Sequence, residues 1–201
     1  MYHRLYILLA FFLSFASCHG HEPNSKQNKF IVIDIQPFVG ISNDQSLYVA
    51  NELAKVYPHI FIKKIIQLPE SAYYPERNRY RADSLIHFLN HITSEGHITI
   101  GLTDKDISTT KDSIADWGVL GLGFCPGKAC VASTFRLSKS ETKMQLFKVA
   151  IHELGHTEGL PHCTVKACFM RDAEGHNTTD EEKEFCPKCK QRLIDKGWKF
   201  N

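Results

Sequence analysis

One short segment near the C-terminal end constrains this chain more than any other. From position 152 it reads His-Glu-Leu-Gly-His-Thr-Glu-Gly-Leu-Pro-His-Cys. Residues four apart lie on one face of a helix, so His152 and His156 can reach the same ion. This spacing predicts a helix that carries two ligands of one metal site.

A third ligand requires the chain to reverse after that helix. Gly155 and Gly159 are expected to end the helix and bring His162 back to the other two histidines. Three neutral nitrogens leave one coordination position open, which a catalytic zinc needs. Glu153 can face a zinc-bound water, accept its proton and deliver it to a leaving amine. We therefore predict a catalytic zinc site with Glu153 as general base.

The spacing of this motif is specific. From composition alone, His-Glu-x-x-His arises by chance about 0.04 times in such a chain, and on the order of 1 in 10,000 times once Gly159 and His162 are required. The competing interpretation is a helix whose histidines are ordinary surface or core residues. That interpretation requires the whole motif to have arisen by chance.

Four cysteines follow the histidines and suggest a second site. Two pairs of soft thiolates suit tetrahedral zinc, and a site of four cysteines has no open position, so it is structural. Two disulfides are the alternative, and a redox pair in the last Cys-Pro-Lys-Cys is a weaker one, because no thioredoxin-like strand precedes it. The set consists of Cys163, Cys168, Cys186 and Cys189.

The N-terminus has the pattern of an export signal. A short basic start is followed by an apolar run from Leu5 to Phe15, which is too short for a membrane span. Small residues then precede Cys18, as in a bacterial lipoprotein signal, where the cysteine is acylated. We predict a signal peptide over 1–17, a lipid anchor on Cys18 that places the protein at a membrane, and a tether over 18–29. The alternative is ordinary secretion, giving a secreted or periplasmic protein.

The remaining cysteines are even in number. Of the seven in the chain, Cys18 and the set of four leave Cys125 and Cys130. They flank Pro-Gly-Lys-Ala, which predicts a turn, and we expect a small disulfide between them. Two buried thiols are the alternative.

Composition is that of a soluble globular chain with one domain. The 201 residues are 43% hydrophobic and 23% charged, with a net charge of +2. This balance does not favour a nucleic-acid partner, and we expect none. We expect a monomer with one domain over 30–201.

Strand-like and helix-like runs alternate along that domain, which predicts an α/β fold. A helix over 141–155, capped by Ser140, carries the histidine motif, and a last helix is expected over 179–194. The other expected strands cover 30–35, 60–68, 97–102 and 131–137, the other helices cover 44–57 and 75–92, and an extended glycine-rich piece covers 117–124.

These residues resemble the archaemetzincin family of metzincin metalloproteases. The long histidine motif is shared by metzincins broadly. The cysteine directly after His162, the Cys168-Phe169-Met170 step and the closing Cys-x-x-Cys are specific to archaemetzincins. The segments 73–80, 103–107 and 131–137 are also similar to the family, so the resemblance covers most of the chain from Phe30 onward.

The resemblance implies a metzincin-like domain with a twisted mixed sheet, an active-site helix and a small C-terminal subdomain that bears zinc. It assigns the histidines and Glu153 to a catalytic zinc and the four cysteines to a structural zinc, giving two Zn²⁺ per chain. Met170 would be the Met-turn methionine beneath the histidines. The predicted export is a departure, since these proteins are commonly intracellular.

We therefore expect a zinc-dependent metallopeptidase that acts on a peptide or protein substrate. The peptide would lie along an edge strand, with the 117–124 segment as candidate. The resemblance implies restricted, aminopeptidase-like activity on short peptides or N-termini. The alternative is a non-catalytic zinc-containing protein that binds peptides and is tethered to the membrane.

Overall fold

A computed structural model describes residues 31–200 of the chain, and these residues form two sheets and four helices. The predicted signal peptide, Cys18 and the tether lie outside the described residues. Within residues 31–200, no helix is both long enough and apolar enough to cross a bilayer. The helices are α1 (Asn43–Ala54), α2 (Ala82–Ile92), α3 (Thr142–Thr157) and α4 (Pro187–Ile194).

The larger sheet has five strands and is mostly parallel. Its order is β2-β1-β5-β9-β8, and only the last pair is antiparallel. Helices α1 and α2 lie in the connections from β1 to β2 and from β2 to β5, whereas the parallel strands β5 and β9 are connected through β6, β7 and β8. The strands are β1 (Val32–Pro37), β2 (Ile60–Ile62), β5 (His97–Thr103), β8 (Gly121–Gly123) and β9 (Ala129–Ser133).

A smaller four-stranded sheet has the order β3-β4-β6-β7; β3 and β4 precede α2 in the chain, whereas β6 and β7 lie between β5 and β8. Its β6–β7 hairpin is antiparallel, with Ile107 opposite Val119 and Thr109 opposite Trp117. The strands are β3 (Tyr73–Tyr74), β4 (Arg79–Arg81), β6 (Ile107–Lys111) and β7 (Ile114–Val119). The predicted α/β class and the twisted mixed sheet are confirmed.

The central sheet buries apolar side chains on both faces. Alternate residues of a strand point to opposite faces, so in β9 Cys130 and Ala132 face α1 and α3, whereas Ala129 and Val131 face α2. Both faces are thus covered by helices, as expected for parallel strands. The α3 helix packs against β9 and α1 through buried residues that include Leu146, Val149 and Ala150.

Several predicted boundaries were wrong. The helix expected over 75–92 begins only at Ala82, because Asn78 takes a left-handed φ of 49° and the chain then pairs as β4. The last helix begins at Pro187, not 179, and the strand expected over 60–68 ends at Ile62. Ser140 does not cap α3, whose N-cap residue is Glu141, without a side-chain bond.

Candidate active site

The active-site helix α3 carries His152 and His156 on one face and continues past Gly155 to Thr157. The reversal is made by Gly159 alone, whose φ of +87° suits glycine. The Gly159 amide donates to the His156 carbonyl at 2.8 Å. The prediction that Gly155 ends the helix was therefore wrong, while the reversal that returns His162 is observed.

The structure brings the three predicted histidine ligands together. Their ligand nitrogens lie within 4.8 Å of one another, and Nε2 of His156 is 3.2 Å from Nε2 of His162. Nδ1 of His152 bonds the Phe169 carbonyl at 2.6 Å, and Nδ1 of His156 bonds the Leu160 carbonyl at 2.8 Å. A carbonyl oxygen only accepts, so Nδ1 carries the proton and Nε2 presents its lone pair to the centre.

The electrostatics of these rings suit metal ligation. Burial lowers the pKa of His152 to about 3 and also lowers the pKa of His156. Both imidazoles are therefore neutral at physiological pH, which is the state that binds a cation. Three converging imidazole nitrogens form a donor set that fits zinc.

Asp172 is a further contact that the sequence did not reveal. Its Oδ2 lies 3.2 Å from Nδ1 of His162, so the third histidine is oriented by a carboxylate where the other two use carbonyls. Oδ1 of the same carboxylate accepts the Glu174 amide at 2.9 Å. Such partners fix the tautomer and orientation of a ligating histidine. Nothing in the sequence spacing indicated this residue.

Glu153 lies beneath the edge strand β8 and is only 6% exposed. A Cβ on Gly121 would come within 2.6 Å of Glu153 Oε1, and one on Gly123 within 2.7 Å of the Glu153 carbonyl oxygen. The two glycines thus make room for this carboxylate, a role that the glycine-rich sequence pattern did not disclose. Burial raises the pKa of Glu153 to about 8.

The four clustered cysteines are free thiols that meet at one point. All four sulfurs lie within 4.8 Å of one another, and those of Cys163 and Cys186 are 3.7 Å apart. Tetrahedral Zn–S bonds of 2.3 Å place sulfurs about 3.8 Å apart, so the cluster has the size of a zinc site. Burial raises the pKa of the Cys168 thiol, and the amides of Met170 and Cys186, which donate to its sulfur, act against that rise.

Met170 links the two clusters. It is fully buried, and a Cβ on Gly155 would overlap its Sδ, so it packs against α3 between the two helical histidines. Its carbonyl accepts the Cys163 amide at 2.7 Å. Gly155 therefore serves close packing of this methionine, and the Met-turn role of Met170 stays a prediction.

A cleft of about 720 Å³ runs in front of the histidines. Its upper side is formed by β8 and the β6–β7 hairpin, and its lower side by the segment that follows Met170. Basic and acidic side chains both line it, including Arg171 and Asp172. The cleft is large enough for several residues of an extended chain.

Comparison with known proteins identifies this arrangement. A sequence model of peptidase family M54 matches residues 29–195, most of the chain. The chain belongs to peptidase family M54. It is 33% identical to the archaemetzincin of Methanopyrus kandleri over 135 residues, which cover 65% of this chain and 75% of that protein. It is 29% identical to the archaemetzincin of Halobacterium salinarum over 176 residues, covering 81% and 99%.

Solved structures of archaemetzincins are similar in fold to this chain. The crystal structure from Archaeoglobus fulgidus, complexed with malonate, has a TM-score of 0.69 at 28% identity and covers 81% of this chain and 99% of that chain. The Methanopyrus kandleri structure has a TM-score of 0.72 at 26% identity, covering 86% and 98%. The predicted archaemetzincin membership and metzincin-like fold are confirmed, and this M54 member is a zinc metalloprotease.

The disulfide predicted between Cys125 and Cys130 is absent, and both are free thiols. Cys130 is fully buried in β9 and faces α3, whereas the Cys125 sulfur lies against the Leu160 carbonyl at 3.4 Å. The intervening turn does not bring them together, because the strand directs Cys130 into the core. This prediction was wrong.

Proposed function

We propose that this M54 peptidase cleaves peptide bonds with Glu153 as general base and with its zinc held by the three histidines. The observation that supports the assignment is a buried carboxylate beside three convergent Nε2 atoms, at the floor of the cleft. Bound zinc would lower the pKa of a water molecule towards neutral and polarise the substrate carbonyl.

The residues of the chain perform the remaining steps. Glu153 accepts a proton from the attacking water and delivers it to the amine of the leaving group. The raised pKa of this carboxyl suits both acceptance and donation near neutral pH. A side chain at Gly121 or Gly123 would collide with Glu153, so the two glycines allow β8 to pass close to this residue.

The substrate is proposed to lie extended along β8. This strand pairs with β9 on one side only, so its other edge can bond a peptide backbone. The edge borders the cleft beside Glu153. We propose restricted, aminopeptidase-like cleavage, which the resemblance to archaemetzincins implies.

A second zinc is proposed at the four cysteines, giving two ions per chain. Its support is the spacing of the four sulfurs and the amides that donate to Cys168. Because Met170 is two residues from Cys168 in sequence and packs against Gly155 between the two helical histidines, this zinc would hold that part of the active site in place. Its role would be structural.

Export and a lipid anchor on Cys18 are proposed from the sequence of the N-terminus alone. Metabolic labelling with a clickable fatty acid in a bacterial host tests the anchor. The parent should carry label in the membrane fraction and Cys18→Ala should not. Equal labelling of both proteins would remove the anchor from the proposal.

The experiment for the catalytic assignment is Glu153→Gln with Glu141→Gln as matched control. The control makes the same chemical change at the start of α3, where the side chain caps nothing. Glu153→Gln should retain zinc and lose about 10²–10⁴-fold in peptide hydrolysis, and the control should match the parent. If Glu153→Gln cleaves as fast as the parent, the mechanism is wrong. If the parent binds peptides without cleaving any, a peptide-binding role replaces it.

A further inference from the structure

The β6–β7 hairpin reaches across the cleft and touches its lower side. Trp117 of β7 lies against Gly175, where an added Cβ would come within 2.8 Å of the indole Cζ2. Gly175 has a φ of +83° and belongs to the segment that follows Met170. Both residues line the cleft, so this contact joins its upper and lower sides.

The indole of Trp117 has a second contact, with a lysine of β6. The Lys111 ammonium lies 5.2 Å from the centroid of the Trp117 ring, within the range of a cation–π contact. The next residue of β7 is Gly118, and a Cβ added there would overlap the Arg136 guanidinium. Nη2 of Arg136 in turn donates to Asp106 Oδ1 at 2.7 Å.

The strand that presents Trp117 is anchored by ion pairs. Asp116, the residue before Trp117, accepts a hydrogen bond from Nη1 of Arg79 at 3.2 Å. Its carboxylate also lies 3.3 Å from Nε of Arg77. Nη2 of Arg79 also lies 3.0 Å from Asp106. These ion pairs hold Asp116, and they therefore favour the position in which the adjacent Trp117 contacts Gly175.

We infer that Trp117 limits the length of peptide that the cleft accepts, an inference that rests on the proposed peptidase function. A chain that extends past the histidines toward the hairpin must displace the indole from Gly175 and Lys111. A short peptide, or the end of a longer one, fits without that displacement. Trp117 is thus a specificity-determining residue.

The test compares peptides that share one scissile bond and grow in length on either side of it. The quantity measured is the ratio of kcat/KM for the longest peptide to kcat/KM for the shortest. Trp117→Ala should raise this ratio on the side that meets the indole by about tenfold, which converts to about 1.4 kcal/mol. Trp117→Phe, which keeps an aromatic ring, should stay close to the parent. Ile114→Ala is the control, since this exposed residue is on the same hairpin but outside the cleft lining.

Two outcomes overturn the inference. One is an unchanged ratio in Trp117→Ala on both sides of the bond, and the other is an equal change in Ile114→Ala. If no peptide is cleaved by any protein, the proposed function fails separately. The same length series is then read from peptide dissociation constants measured on zinc-loaded Glu153→Gln with and without Trp117→Ala. If longer peptides bind more weakly and Trp117→Ala removes that difference, the role of Trp117 in limiting peptide length is supported. If the dissociation constants are identical with and without Trp117→Ala, that role is refuted.

Discussion

Removing the carboxylate of Asp172 should weaken zinc binding at the histidine site. Asp172 is the polar partner of His162 Nδ1, at 3.2 Å. Loss of such a partner typically costs 10- to 100-fold in metal affinity. Both side chains are about half exposed, which reduces the strength of a charged pair. The low end is therefore expected, about tenfold or about 1.4 kcal/mol, for Asp172→Ala.

Two further variants separate the effect of the contact with His162 on zinc affinity from the effect of negative charge in this loop. Asp172→Asn keeps an oxygen that can accept from His162 Nδ1 or from the Glu174 amide, so its loss of affinity should be smaller than that of alanine. Glu174→Gln removes one negative charge from the same loop without touching a histidine. It should bind zinc as the parent does.

The assay is titration with Co²⁺, because thiolate ligands give a charge-transfer band that nitrogen ligands lack. The two sites can then be followed separately in one protein. The band of the cysteine site should be unchanged in all three variants, and only the histidine site should weaken. Parent-like affinity in Asp172→Ala, or an equal loss in Glu174→Gln, would refute a role for Asp172 as the partner of His162.

Two other predictions concern stability. Gly155→Ala should lower the free energy of unfolding by about 1–3 kcal/mol in urea titrations, because the new Cβ overlaps Met170 Sδ in a packed core; an unchanged midpoint would contradict the packing. Burial raises the pKa of Glu182 from 4.5 to about 6, so the folded state binds this proton more tightly than the unfolded state does. The contribution of the protonated Glu182 to the stability of the fold is therefore complete below pH 4.5 and is lost as pH rises through about 6. Glu182→Gln has no proton to lose, so it should be more stable than the parent by about 1 kcal/mol at pH 8 but not at pH 4. Thermal unfolding measures this difference, and equal stability of the two proteins at both pH values would contradict the prediction.

The sequence predicted the site well where spacing alone determines geometry. Residues four apart on a helix must share a face, so the convergence of His152 and His156 followed from helical geometry. A glycine that permits a positive φ made the return of His162 predictable. The α/β class followed from the alternation of elements, and the histidine site lies on the helix that was expected to carry it.

Features that depend on tertiary contacts were not predictable in this way. Asp172 reaches His162 only because the chain folds back after Met170. The roles of Gly121 and Gly155 depend on what packs against them, Glu153 in one case and Met170 in the other. The expected disulfide at Cys130 failed for the same reason, since sequence separation says nothing about which face of β9 a thiol occupies.

The central claim is that two zinc sites are interlocked through Met170, one with an open position and one closed by four thiolates. Elemental analysis of the purified protein, combined with a count of thiols that react before and after denaturation in chelator, tests it most directly. We expect two zinc ions per chain in the parent, one in His156→Ala, and cysteine-site thiols that react only once zinc is removed. One zinc in the parent, with Cys163, Cys168, Cys186 and Cys189 unreactive even after denaturation, would show disulfides there and contradict the two-zinc arrangement.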